Sequence, residues 1–114
     1  MNEAQDQLRI YQQAALTGLR RELTVRGLNT VYLVDQKSRP TVEVEDCNMR
    51  MRRIYVHTGF WWFYWGDQPD ERVSCLELPN AVAVIMRAAR AGFREGVQGD
   101  LVVNLQNIAD AYRT

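Results

Sequence analysis

The chain has 114 residues, with 14 basic and 14 acidic side chains, no formal net charge, 46% hydrophobic residues and 25% charged residues. That composition defines one globular domain, able to bury roughly two thirds of its unfolded surface, and it excludes intrinsic disorder, which needs less hydrophobicity and more net charge. Two cysteines exclude a disulfide scaffold, no run of about 18 apolar residues is there to span a membrane, and zero net charge argues against a nucleic-acid binder that works by bulk electrostatics.

The first residues, Met1 to Gln7, are polar and acidic and do not read as a secretory signal. With Cys47 and Cys75 as unpaired thiols, a cytoplasmic location is expected. From Glu3 to Arg26 the pattern is helical: Leu8, Tyr11, Ala15, Leu19 and Leu23 recur at spacings of three and four, with Leu16 beside them. Gly27 follows where a left-handed C-terminal cap is wanted.

Four extended runs come next. Thr30 to Asp35 is rich in β-formers, and Gln36 to Pro40 is a turn. Thr41 to Glu45 alternates strictly, so Val42 and Val44 face inward and Glu43 and Glu45 face water. Asp46-Cys47-Asn48 is a second turn. Met51 to His57 and Phe60 to Trp65 flank Thr58-Gly59, which reads as a hairpin with a two-residue loop. Glycine would fit better at the first position of a type II′ turn, so the turn type stays open. A short extended piece from Val73 to Leu76 follows. Pro79 opens a helix with Val82, Ile85, Ala89 and Phe93 on its apolar stripe, and Asp100 caps a last helix carrying Leu101, Leu105, Ile108 and Tyr112. The expected architecture is a single α+β domain spanning 1–114: an N-terminal helix, a four-stranded antiparallel meander, and one or two C-terminal helices packed on one face. Its core covers about 8–95 and a C-terminal helical extension about 100–113.

Six of the eleven aromatic residues are consecutive, Phe60 to Trp65. A two-residue loop pairs His57 with Phe60, Val56 with Trp61, Tyr55 with Trp62, Ile54 with Phe63 and Arg53 with Tyr64. Alternation then puts Ile54, Val56, Trp61 and Phe63 on the core face. Arg53, Tyr55, His57, Phe60, Trp62 and Tyr64 fall on the other face, which helices on one side would leave open. Large aromatics bury about 150–250 Å² each when covered, and four of them exceed the apolar patch a monomer usually exposes. These six residues are therefore the candidate interaction surface. A second subunit is the expected cover, making a homodimer; a heterologous protein partner, a flat ligand or the last helix of the same chain are the alternatives.

Other chemistry is sparse. His57 is the only histidine and has no nucleophile or second base at triad spacing. Cys47 and Cys75 lie far apart with no C-x-x-C pair, so neither a metal site nor a cofactor is expected. Glycine-rich phosphate loops are missing. Arg50, Arg52 and Arg53 beside aromatics resemble the elements of a single-stranded nucleic-acid platform, but Glu43 and Glu45 share that surface, and nucleic acid is disfavoured.

Arg39-Pro40-Thr41-Val42-Glu43-Val44, Arg53-Ile54-Tyr55-Val56, Phe60 to Gly66 and Pro79-Asn80-Ala81-Val82, with Gly27-Leu28, resemble a group of small actinobacterial helix–four-strand–helix proteins over residues 8–95. Members of that group often occur near helix-turn-helix regulators, so the resemblance implies a regulatory accessory role and brings no catalytic residues with it. The expectation is a non-enzymatic, cytoplasmic, self-associating interaction domain. Small-ligand binding is the alternative.

Overall fold

The computed structural model describes residues 3–59 and 61–94. Phe60 and the expected last helix lie outside the described residues. The elements are helix α1 (Glu3–Val25), strands β1 (Thr30–Val34), β2 (Pro40–Glu45), β3 (Met51–His57) and β4 (Trp62–Tyr64), a 3₁₀ turn (Pro69–Glu71), strand β5 (Arg72–Ser74) and helix α2 (Leu78–Ala91). The strands form one antiparallel sheet in the order β1-β2-β3-β4-β5. The meander thus has five strands where four were expected. Arg72–Ser74 is long enough to pair with all three residues of β4, and so completes the sheet.

Local chemistry accounts for the boundaries. At the end of α1, Gly27 adopts φ 97°, its N–H donates to the Thr24 carbonyl, and the Leu28 N–H donates to the Leu23 carbonyl. This double closure satisfies carbonyls that the helix end would otherwise orphan. Pro79 lies in the first turn of α2, where its missing N–H costs nothing.

Both helices lie on one face of the sheet. Leu16, Leu19 and Leu23 of α1 meet Val42, Val44, Ile54, Val56, Phe63 and Val73 of the sheet and Val82, Ile85 and Ala89 of α2. All of α2's expected stripe is buried, including Phe93 just past its end. Leu8 is a correction to the α1 stripe. It is 48% exposed, because the first turns of α1 run past the sheet; every described side chain from residue 3 to residue 10 is exposed.

The β3–β4 hairpin is a second correction. Tyr55 pairs with Tyr64, Val56 with Phe63 and His57 with Trp62. The loop is therefore four residues, 58–61, and the register is displaced by two from the expected one. Because side chains alternate with period two, a two-residue displacement keeps every strand residue on its expected face. Only Trp61 leaves the core face. It becomes a turn residue with φ 58°, and Trp65 takes its place inside.

Candidate functional site

The face turned away from α1 and α2 carries Tyr55–Tyr64–Arg72 in one cross-strand row and His57–Trp62–Ser74 in the next. The register thus brings together four of the six residues expected to form the interaction surface. They are not an open surface. Tyr55, Trp62 and Tyr64 are only 4%, 2% and 4% exposed and form a second apolar cluster, separate from the main core. Tyr55 and Tyr64 stack with ring centres 5.7 Å apart, and His57 lies tilted at 6.2 Å from Tyr64. The Arg39 guanidinium sits 4.5 Å above the Tyr55 ring, and that of Arg72 4.8 Å from the Trp62 ring. Arginine stems and planar heads cover aromatic faces well. Arg53, at the edge, is half-buried and faces Glu43 at 3.7 Å. Within this chain the three large rings are thus covered, while Arg53 and His57 stay half-buried and an opening of about 170 Å³ remains beside Arg39, Tyr55, His57 and Tyr64.

Two matching hairpin turns hold this arrangement. Asp35 receives the backbone N–H groups of Lys37 and Arg39 on one carboxylate oxygen, both at 2.9 Å. Asp46 receives those of Asn48 and Arg50 in the same way, also at 2.9 Å. The fourth residue of each turn, Ser38 or Met49, takes the left-handed conformation, with φ 63° and 62°. The second oxygen of each Asp then reaches across the fold. In Asp35 it accepts the Tyr55 hydroxyl at 3.0 Å and pairs with the Arg39 Nε at 2.8 Å, which fixes Arg39 beside the aromatic cluster. In Asp46 it accepts the buried Phe93 N–H at 2.9 Å, tying the β2–β3 turn to the end of α2. Burial pushes the Asp46 carboxyl up, but the N–H bonds from Arg50, Phe93 and Asn48 and the Arg50 charge outweigh it and hold it below its usual value. Asp35 follows the same logic: burial is outweighed by the Arg39 N–H, the Tyr55 hydroxyl, the Arg39 charge and the Lys37 N–H.

The other shifted groups respond mainly to burial and to one side-chain contact. Burial lowers the His57 imidazole and pushes the Tyr64 phenol up to about 12. Tyr11 rises to about 12 through its bond to the Cys75 sulfur at 3.4 Å and then through burial. Among the described residues, no group of three His, Cys, Asp or Glu side chains is placed to hold a metal ion. No helix among them is long and apolar enough to cross a membrane.

The surface offers three other features. Trp61, 47% exposed, lies edge-on to Tyr11 at 5.5 Å. A cleft of about 310 Å³ opens beside Trp65, where Arg94 bonds Asp70 at 2.8 Å and faces Glu71 at 3.4 Å. Third, a groove of about 590 Å³ runs between the end of α1 and α2, floored by Pro79, Val82 and Met86 and rimmed by Arg26, Arg87 and Arg90. Sequence reasoning placed Trp61 in the core. The signal it had was the poor fit of Thr-Gly to a two-residue turn, which favours a longer loop. The groove unites residues far apart in the chain, which no local pattern marks. Comparison with protein-family models, with curated proteins and with solved structures finds no match to this chain.

Proposed function

We propose that this chain is a non-enzymatic protein-interaction domain that associates with itself and serves a regulatory accessory role. The observation that carries the reading is the projecting start of α1. Its first turns extend beyond the sheet with Leu8 and Ile10 exposed by 48% and 64%. Short helical segments are marginal in water without a packed face, and Leu8 and Ile10, two residues apart and so on different sides of the helix, give this one an apolar contact to offer on each side. The contact surface moves accordingly, from the buried aromatic cluster to α1. Sedimentation equilibrium at tens of micromolar should show a dimer for the wild-type chain and a monomer for Ile10→Glu, with unchanged circular dichroism. A wild-type monomer under those conditions overturns the reading.

Small-ligand binding is the second reading, favoured by the cleft beside Trp65. Asp70 and Glu71 already hold Arg94 between them there, so its guanidinium is not available to orient a ligand.

A further inference from the structure

The groove between α1 and α2 is cationic over an apolar floor. Arg87 and Arg90 make no ion pair among the described residues, whereas Arg26 is held by Glu22 at 2.7 Å. Helix α2 itself contains no acidic residue. An occupant of complementary chemistry would be helical, acidic and apolar on one face.

The projecting end of α1 has that chemistry. Glu3, Asp6 and Ile10 recur at spacings of three and four, so they share one face of the helix. Gln13, Ala14, Thr17, Arg20 and Arg21 continue the same stripe, and all are exposed. Ala14 and Thr17 are small enough for two helix backbones to come close there. The spacing is also symmetric. Glu3 and Val25 each lie eleven residues from Ala14, roughly 16 Å along the axis at about 1.5 Å per residue. Two copies of α1 crossing antiparallel about a two-fold at Ala14 therefore bring the acidic start of each to the end of the other, where Arg26 and the groove begin. One contact implies its mate, as a closed two-fold interface requires.

We propose that the groove receives the first turns of α1 from a second copy of this chain, with Glu3 and Asp6 against Arg87 and Arg90 and Ile10 directed towards the apolar floor. This rests on the self-association reading and specifies its partner surface. Opposite charges brought together across such an interface steer orientation and exclude other registers.

A charge exchange tests it. Glu3→Arg/Asp6→Arg reverses the helix start, and Arg87→Glu/Arg90→Glu reverses the groove; all four residues are exposed. Sedimentation equilibrium of either double variant alone should show association weakened by about tenfold or more. An equimolar mixture should recover wild-type affinity, because both contacts of the heterodimer are again complementary. Wild-type association should also weaken from low to molar salt, as screening of exposed charges demands. The salt series and the helix-start variant together hold the test if the groove variant folds poorly. A wild-type dimer indifferent to both reversals and to salt overturns the proposal while leaving self-association standing. Association lost with the groove variant but untouched by the helix-start variant places another acidic segment in the groove, and also overturns it. A wild-type monomer overturns self-association itself.

Discussion

Asp46 is the clearest place to perturb the fold, because one carboxylate, only 6% exposed, ties the β2–β3 turn to the end of α2. Asp46→Ala removes three acceptors at once. The Asn48 and Arg50 N–H groups belong to exposed residues and can turn to water, so losing each bond costs about 0.5–1 kcal/mol. The Phe93 N–H bond is buried, and leaving that donor unsatisfied costs about 1–3 kcal/mol. The sum is about 3 kcal/mol, which at about 4–8 °C per kcal/mol lowers Tm by roughly 12–24 °C. Asp46→Asn separates the two contributions. Its carbonyl oxygen keeps the turn, while its amide NH₂ meets the Phe93 N–H donor to donor, so the loss falls to about 1–3 kcal/mol. Urea unfolding followed by tryptophan fluorescence measures both variants. An alanine variant within about 0.5 kcal/mol of wild type would refute the clamp, since that is the range of an ordinary surface substitution.

Other outcomes follow from the same geometry. Ser38 and Met49 hold left-handed conformations that cost a non-glycine residue about 1–2 kcal/mol, so Met49→Gly should stabilise by up to about 1 kcal/mol once glycine's larger entropy loss is deducted, read as a raised urea midpoint. Met49 is 81% exposed, so little packing is lost. Gly92→Ala should destabilise by about 1–2 kcal/mol, because φ is 93° and an added Cβ would meet the Asn48 side-chain nitrogen at 2.8 Å; an unchanged Tm would contradict the close packing of that turn. Gly66→Ala should be worse, since its Cβ would collide with the buried Glu71 carboxylate. The lowered carboxyls of Asp35 and Asp46 contribute stability that is complete above the unfolded carboxylate pKa of about 3.9 and is lost as pH falls through their lower folded values. Asp46→Asn should therefore flatten the acid limb of a stability–pH curve, and an identical limb would count against the pairing. His57, a base lowered by burial, adds a milder loss as pH falls below about 6.5, which His57→Gln should remove.

Much of the fold was legible because local chemistry and tertiary structure agree. The stripe of Leu16, Leu19 and Leu23, the alternation of Val42 and Val44, the left-handed Gly27 and the proline at the start of α2 each mark an element directly. The hairpin faces were legible for a subtler reason. The loop length was wrong by two, and a period-two pattern cannot detect an even displacement. Coverage was not legible. Arg39 lies over Tyr55 because Asp35 draws it in, and Arg72 comes over Trp62 with β5. Those are contacts between segments far apart in the sequence. The groove escaped notice likewise, because Arg26 and Arg90 stand 64 residues apart in the sequence and only the fold brings them together.

Hydrogen exchange compared at low and high protein concentration locates self-association residue by residue. Amides in the first turns of α1 and around Arg87 and Arg90 should slow as concentration rises, while those of β3 and β4 keep the same slow rates throughout. Concentration-dependent protection confined to β3 and β4, or none anywhere, would contradict self-association through α1.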